Sequence, residues 1–194
     1  MIKNKNINVC VFCGSKQGNK PYFLNNAKKL GYSISENKWN LVYGGGNQGL
    51  MGSLVDGFDS SRGDVISVVP ISLNNKKILY ENVSKKILVK NLLLRKQKMI
   101  NLSDIIITLP GGFGTLDELF EVLTLIQTGK ISKELPIILW NEEYWHDLVD
   151  WQKLVEHGMI SEGDLELMTF SSDIDEVENL VLKHLANLPE VEPR

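Results

Sequence analysis

A glycine-rich turn that joins a strand pattern to a helix pattern constrains the fold of this chain more than any other feature. Residues 105–109 (IIITL) are apolar and rich in β-branched side chains, which is typical of a strand buried on both faces of a parallel sheet. Residues 110–115 (PGGFGT) follow directly. Beyond them, apolar residues recur at steps of three and four as far as Gln127: Leu116, Leu119, Phe120, Leu123 and Ile126. The segment therefore predicts a strand, a tight turn and a helix with one apolar stripe.

This turn has the properties of an anion site. Gly111, Gly112 and Gly114 allow backbone conformations closed to other residues, and without Cβ atoms they let a ligand reach the main chain. The first amides of the following helix have no partners inside it, and the helix dipole adds partial positive charge there. Thr115 can cap the helix or offer its hydroxyl to the anion. We expect a phosphate group to bind at this turn.

Two interpretations compete for the acidic residues that follow. Glu118, one turn into the helix, is a candidate catalytic carboxylate. Asp117 and Glu118 are also what an ordinary helix favours near its N-terminus, because their charge opposes the helix dipole. From the turn alone, the structural interpretation has at least as much support as the catalytic one. The same position predicts that Glu118 stays ionised.

Apolar runs alternate with helical patterns along the chain, which predicts an open, mainly parallel, Rossmann-like α/β sheet with helices on both faces. The predicted strands are residues 7–13, 39–43, 64–70, 86–89, 105–109, 136–140 and 165–170. Helices are expected at 21–37, from 50 onward, around 92–102, at 116–127, 145–157 and 173–185, and residues 71–81 are interpreted as a loop. We expect one nucleotide-binding domain over residues 1–188 and a disordered tail over 189–194.

Composition excludes some classes of partner. The chain has 194 residues and a formal net charge of −3, so nothing favours binding to DNA or RNA. No run approaches the roughly 20 apolar residues that span a bilayer, and residues 1–6 are polar rather than part of a signal peptide. Cys10 and Cys13 are three apart in a strand, so they point to opposite faces as buried thiols of a reducing compartment. We expect a cytoplasmic protein without a membrane partner.

Metal and cofactor motifs are missing from the sequence. His146, His157 and His184 are isolated, which is not the spacing of a metal site. Residues 14–18 (GSKQG) lack the G-x-G-x-x-G fingerprint of NAD proteins, and no acidic residue ends the second strand. We therefore expect neither a metal nor a cofactor. Four later residues are interpreted as packing the fold or a subunit contact rather than a base: Tyr144, Trp145, Trp151 and Leu154.

A second glycine-rich loop follows the second predicted strand. Residues 43–52 (YGGGNQGLMG) contain a glycine triplet, and such triplets are common in plain loops. Two glycine loops at strand ends can, however, approach one ligand from both sides of a sheet crevice. Ser15, at the end of the first strand, is a further candidate contact. Arg95, Lys96 and Lys98 can form a solvated basic face, which is the interpretation we prefer for Lys98.

Four blocks of this sequence resemble the Lonely Guy (LOG) family of nucleoside 5′-monophosphate phosphoribohydrolases. The family signature PGGxGTxxE is complete at residues 110–118, and an RKxxM segment stands at 95–99. The block YGGGxxGLMG is present at 43–52, and the opening VFCGS is present at 11–15. The similarity covers residues 7–180, with the blocks in the order that the family has.

The resemblance implies metal-independent hydrolysis of the N-glycosidic bond of AMP, or of an N6-substituted AMP such as a cytokinin riboside monophosphate. The products would be the free base and ribose 5-phosphate. By the same resemblance Glu118 is the catalytic carboxylate and Arg95 is its partner. The implied substrate-binding residues are Ser15, Gly45, Gly46, Asn47, Lys96, Gly111, Gly112, Gly114 and Thr115.

The chain departs from the family at one point, and the resemblance also implies an assembly. Family members often have Met-His two residues before the arginine motif, where this chain has Leu92-Leu93. A polar contact is therefore missing, and the preference for base or sugar can differ. Most family members form homodimers, so we expect one here.

Two other functions fit parts of the sequence. A protein of the same fold that carries nucleotides or molybdenum cofactor without turnover would need only the glycine loops. The lysine decarboxylase label attached to such sequences would need pyridoxal phosphate on a lysine. Only Lys96 lies near the motifs, so that function has weaker support.

Overall fold

A computed structural model describes residues 7–75, 77–131 and 135–187. These residues form one seven-stranded sheet in which all six pairings are parallel, in the order β4-β3-β2-β1-β5-β6-β7. The strands are β1 (Asn8–Phe12), β2 (Asn40–Tyr43), β3 (Val65–Pro70), β4 (Lys85–Val89), β5 (Ile105–Thr108), β6 (Ile137–Trp140) and β7 (Met168–Ser171). The predicted α/β sheet is confirmed.

Eight α-helices and one 3₁₀ turn connect the described strands. The helices are α1 (Tyr22–Glu36), α2 (Gly49–Gly57), α3 (Leu92–Leu102), α4 (Phe113–Gln127), α5 (Glu142–Leu148), α6 (Trp151–Glu156), α7 (Glu162–Leu165) and α8 (Ile174–Asn187). The 3₁₀ turn (Ile71–Leu73) lies in the segment predicted as a loop. The predicted tail over 189–194 lies outside the described residues, and none of the described helices is long and apolar enough to cross a bilayer.

The strand order reverses at β1, which creates the crevice that open α/β sheets use for ligands. Cys10 in β1 pairs with Val42 of β2 on one side and with Ile106 of β5 on the other. Connections leave β1 in opposite directions along the sheet, so the turns after β1 and β5 diverge at this point. The carboxyl ends of these two strands therefore mark where a site is expected.

Two apolar cores cover the two faces of the sheet. On one face α1, α2 and α8 pack against the strands, and the α1 residues predicted to face inward are all buried: Phe23, Ala27, Leu30 and Ile34. On the other face α3, α4, α5 and α6 pack around Met99, Leu119 and Trp145. Cys13 belongs to the first core and Cys10 to the second, which confirms their opposite orientation. Burial raises the pKa of both thiols.

Three details of the predicted elements are wrong. The helix predicted over 145–157 is two helices. The first ends at Leu148, and Asp150 caps the second by accepting a hydrogen bond from the backbone N–H of Lys153 at 3.1 Å. The strand predicted over 165–170 begins only at Met168, because α7 extends to Leu165 and residues 166–167 form a turn. Within the apolar stripe predicted for α4, Phe120 is exposed. The residues of α4 that are buried are Thr115, Glu118, Leu119 and Val122.

Candidate active site

A cavity of about 460 Å³ lies at the carboxyl ends of β1 and β5. The turn after β1 contributes Ser15, and the turn after β5 contributes residues 110–115. Glu118 and Arg95 line the same cavity from α4 and α3. Its apolar lining includes Phe23, Leu50, Met51 and Tyr144. One cavity thus joins a glycine turn, a charged pair and an apolar surface.

The glycine turn leaves the backbone at the start of α4 open. Gly112 is the N-cap residue of α4 in an extended conformation, with φ −98° and ψ −152°, so the cap suggested for Thr115 is wrong. A Cβ atom on Gly112 or Gly114 would meet no other atom within 4 Å. Thr115 is buried and packs directly on Gly111. The first amides of α4, which have no partners inside the helix, therefore border open space.

Neighbouring elements hold this turn in place. The backbone N–H of Gly14, after β1, donates to the carbonyl of Pro110 at 3.1 Å. The hydroxyl of Tyr144, in α5, donates to the carbonyl of Gly111. A trans peptide directs its C=O and N–H to opposite sides, so this bond also fixes the direction of the Gly112 N–H.

Tyr144 is a site residue that the sequence interpretation missed. It was interpreted as a packing residue, and its ring does meet Phe23 edge to face with centroids 6.3 Å apart. The same side chain lines the cavity and holds the glycine turn. One signal was available: Tyr144 follows the carboxyl end of β6 by four residues, at the sheet edge where ligands bind. Trp145 and Trp151 are buried in the core, as predicted.

Arg95 and Glu118 form an ion pair inside the protein. Nη2 of Arg95 donates to Oε1 of Glu118 at 2.9 Å, and the two side chains are 15% and 8% exposed. Asn91 caps α3 one turn before Arg95 by accepting from the N–H of Leu94 at 3.0 Å, which fixes where the helix begins. Nε of Arg95 is buried and has no hydrogen-bond partner within the described ranges. Only one nitrogen of the guanidinium therefore engages the carboxylate.

Burial raises the pKa of Glu118 to about 7, against the opposing effect of the Arg95 charge. The charge of Asp117 raises the pKa further, and that of Lys96 lowers it. The prediction that Glu118 stays ionised is therefore wrong. Removal of the carboxylate from water outweighs its place near a helix N-terminus. Near neutral pH both protonation states of Glu118 are populated, which suits a group that accepts and returns a proton.

Lys96 does not line the cavity. Its Nζ contacts Oδ1 of Asp117 at 2.8 Å and also pairs with Glu121, so both of its partners are carboxylates of α4. These contacts connect α3 to α4 beside the Arg95–Glu118 pair. Lys98 is exposed, as predicted.

The 43–52 loop also stands apart from the cavity lining, except through Leu50 and Met51. Gly45 accepts a hydrogen bond at its carbonyl from the N–H of Tyr80 at 3.0 Å, and the N–H of Asn47 donates to the carbonyl of Ile78 at 3.1 Å. Gly46 pairs with Leu79 as an isolated β-bridge. The predicted contacts Gly45, Gly46 and Asn47 therefore hold the segment after β3.

In the part of the chain that the structure describes, no group of three or more His, Cys, Asp and Glu side chains is arranged to hold a metal ion.

Comparison with known sequences identifies related proteins. A family model described as "Possible lysine decarboxylase" matches residues 51–181. The cytokinin riboside 5′-monophosphate phosphoribohydrolase LOG1 of Arabidopsis thaliana is 41% identical over 162 residues, which cover 82% of this chain and 75% of that protein. LOG3 of the same plant, which has the same activity in its name, is 38% identical over 170 residues, covering 87% and 78%.

Comparison with solved structures shows the fold. The molybdenum cofactor binding protein of Rippkaea orientalis superimposes with a TM-score of 0.72 at 22% identity, covering 93% of this chain and 98% of that one. The Moco carrier protein of Chlamydomonas reinhardtii gives a TM-score of 0.68 at 20% identity, covering 95% and 100%. At such identities these structures share the Rossmann-like architecture and carry no statement about activity. The family model and the plant relatives together show that the chain belongs to the LOG family.

Proposed function

We propose that this protein hydrolyses the N-glycosidic bond of a nucleoside 5′-monophosphate, AMP or an N6-substituted AMP, to the free base and ribose 5-phosphate. One observation carries the proposal: a buried carboxylate with a pKa of about 7 lies one turn into a helix whose N-terminus is open to an anion, in the same cavity. The names of the plant relatives, which act on cytokinin riboside 5′-monophosphate, support the substrate class.

The 5′-phosphate would bind at the start of α4. Gly112 and Gly114 leave space for phosphate oxygens to approach the backbone, and the helix dipole favours the negative charge. Ser15 lines the cavity at the end of β1 and can offer a hydroxyl. A phosphate fixed here anchors the ribose, so that binding energy from a group that does not react helps to orient the one that does.

Glu118 would act at the anomeric carbon. In the proposed step a water oxygen bonds to C1′, the bond from C1′ to the base nitrogen breaks, and its electron pair leaves with the base. Glu118 takes a proton from the water and returns one to the departing nitrogen, so the carboxylate is restored. The ribose passes through a cationic, oxocarbenium-like state, which a nearby negative charge stabilises. Arg95 engages Oε1 and leaves Oε2 for the water.

The base would occupy the apolar part of the cavity. Phe23, Leu50, Met51 and Tyr144 supply aromatic and flexible apolar surface, which suits a purine. Leu92 and Leu93, which stand where family members often have Met-His, are exposed and do not line this cavity. Within one chain, therefore, the substitution does not remove a contact to the base.

The proposal includes a homodimer through α3 and α4. Both helices begin at the carboxyl edge of the sheet and expose apolar side chains there, including Leu92, Leu93 and Phe113, of which Phe113 is 92% exposed. Exposed apolar side chains favour a protein contact, and the partner that we propose for them is a second copy of this chain. Analytical ultracentrifugation should show a dimer that Leu93→Glu dissociates. A wild-type protein that stays monomeric at every concentration would contradict this.

The direct test is product analysis. Purified protein is incubated with AMP and with N6-substituted AMP in the presence of EDTA, and the free base and ribose 5-phosphate are both quantified. We expect equal amounts of the two products. Glu118→Gln, which keeps the shape but cannot ionise, should lower kcat by about 10³-fold while nucleotide still binds. Asp117→Asn, on the exposed side of the same helix, should cost no more than about threefold.

Two results would contradict the proposal. Undiminished release by the Glu118→Gln variant would remove the role of the carboxylate. Tight nucleotide binding by the wild-type protein without base release would favour the carrier function instead. A pyridoxal phosphate enzyme would show a Schiff-base absorbance band and would form cadaverine from lysine, and we expect neither.

A further inference from the structure

The position of Gly44 is tied to the charged pair. Gly44 follows the last residue of β2, Tyr43, and lies directly under the guanidinium of Arg95. A Cβ atom on Gly44 would overlap Nη2 of Arg95 and lie 3.0 Å from its Cζ. This Nη2 is the nitrogen that donates to Glu118. The hydrogen atom that replaces a side chain at Gly44 therefore makes room for the ion pair.

Backbone conformation does not explain why a glycine stands here. Gly45 and Gly49 have positive φ angles, of 87° and 59°, which other residues rarely adopt, whereas Gly44 does not. The atoms that a side chain at Gly44 would meet belong to the end of a long, flexible arginine rather than to another backbone. A methyl group at Gly44 would therefore displace the guanidinium and leave the chain folded.

We propose that Gly44 is a positioning residue. Because it has no side chain, the Arg95 guanidinium can lie beside it and against Glu118. The contact itself is independent of any substrate. Its consequence for catalysis rests on the proposed function, in which Glu118 exchanges protons with water and base.

Displacement of the Arg95 guanidinium would change the pKa of Glu118 in a defined direction. The charged groups that shift the pKa of Glu118 are Arg95 and Lys96 of α3 and Asp117 of its own helix. The buried thiols of Cys10 and Cys13, in and after β1, lie close enough for the Glu118 charge to raise their pKa. Arg95 is the largest influence that lowers the pKa of Glu118. If the guanidinium moves away, that pKa rises and less carboxylate is ionised at neutral pH.

The contact can be tested without any activity. Carbon-13 NMR of the side-chain carboxyl groups follows the titration of Glu118, whose signal is assigned by its loss in Glu118→Gln. We expect the midpoint to rise by about 1 pH unit in Gly44→Ala, toward the value in Arg95→Ala. Gly46→Ala is the matched control, because its Cβ atom would also meet a flexible side-chain end, that of Met51, at 2.9 Å. It should titrate like the wild-type protein.

A double-mutant cycle then tests the catalytic consequence. Gly44→Ala should lower kcat/KM by about fivefold at pH 7 and shift the pH profile toward higher pH, because fewer molecules carry an ionised Glu118. In an Arg95→Ala background the same substitution should change kcat/KM by less than about twofold, since no guanidinium remains to be displaced.

Three outcomes would overturn the proposal: a Gly44→Ala titration identical to wild type while Arg95→Ala shifts, losses that simply add in the cycle, or a Gly44→Ala protein that fails to fold both with and without Arg95. If the wild-type protein releases no base at all, the proposed function fails. The NMR titration would still decide whether Gly44 positions the Arg95 guanidinium.

Discussion

The turn after β5 and the loop after β2 are both rich in glycine, and the structure uses their glycines for different purposes. In the first, Cβ atoms on Gly112 and Gly114 would meet nothing within 4 Å, so the missing side chains leave room for a ligand. In the loop after β2, other atoms of the protein occupy the space that side chains on the glycines would need. A Cβ on Gly45 would lie 2.6 Å from Val69, one on Gly46 2.9 Å from Met51, and one on Gly52 would overlap the backbone oxygen of Asn47.

A glycine run in a sequence therefore predicts an empty space but not what fills it. Ahead of α4 the space faces the cavity, and the backbone amides are free to meet an anion. After β2 the space lets other parts of the chain approach closely, and one of those parts is Arg95 above Gly44. The first segment binds the phosphate in the proposed function, and in the second Gly44 lies against the guanidinium that pairs with the buried Glu118.

The largest predicted effect is a pH-dependent stability caused by the burial of Glu118, whose ion-pair partner Arg95 lies against Gly44. The pKa of Glu118 is about 7 in the folded protein and about 4.3 in an unfolded chain, so the folded state binds this proton more strongly. The resulting stabilisation is fully present below pH 4 and is lost as the pH rises through 7. Glu118→Gln cannot ionise, and between pH 4 and pH 8 it should gain on the order of 3 kcal/mol relative to wild type.

Urea unfolding of both proteins across this pH range measures that gain. Because all other titrating groups are shared, the difference between the two curves isolates Glu118. A difference that stays constant with pH would mean that water reaches the carboxylate in the folded protein.

The next effect separates the two classes of glycine directly. Gly52→Ala should lower the free energy of unfolding by about 1–3 kcal/mol, because its methyl group would meet the backbone of Asn47. Gly112→Ala should lower the free energy of unfolding by only about 0.5–1 kcal/mol, because alanine is a poorer N-cap than glycine. It should weaken AMP binding about tenfold, since its methyl group stands where the phosphate would approach. Denaturation and calorimetric titration of both variants check this. If both variants lost AMP binding equally and neither lost stability, the two glycine segments would not differ in their roles.

The smallest predicted effect concerns how precisely the open turn is held. Tyr144→Phe removes the hydrogen bond to the carbonyl of Gly111, so the Gly112 N–H is no longer fixed in direction. We expect KM to rise about 3- to 10-fold with little change in kcat, which corresponds to about 1 kcal/mol. Tyr22→Phe is the matched control, because the Tyr22 hydroxyl accepts from Asn141 at 3.2 Å outside the cavity lining. An equal rise of KM in both variants would show that the turn needs no such support.

Local patterns predict most of the fold because they depend on neighbours in the sequence. The β-branched run at Ile105–Thr108 and the apolar face of α1 follow from the periodicity of burial in a two-faced sheet. The break at Asp150 was missed because a single capping residue can interrupt an otherwise continuous helical pattern. The exposure of Phe120 was missed because periodicity finds an apolar face without showing what covers it.

The parts of the candidate site that belong to sequence motifs were predictable. Arg95 and Glu118 were predicted as partners, and Nη2 of Arg95 lies 2.9 Å from Oε1 of Glu118. The raised pKa of Glu118 was not predictable, because its cause is burial by parts of the chain distant in sequence. The same applies to the 43–52 glycines, whose neighbours Val69 and Arg95 come from β3 and α3.

The proposed function requires a 5′-phosphate held at the start of α4 while Glu118 faces the anomeric carbon, and a comparison of AMP with adenosine tests this requirement. Adenosine carries the same glycosidic bond without the group that the turn would bind. We expect kcat/KM for base release to be about 10³-fold higher for AMP, with much of the difference in kcat, because the phosphate contact orients the ribose for attack. Equal kcat/KM for the two compounds would contradict the account.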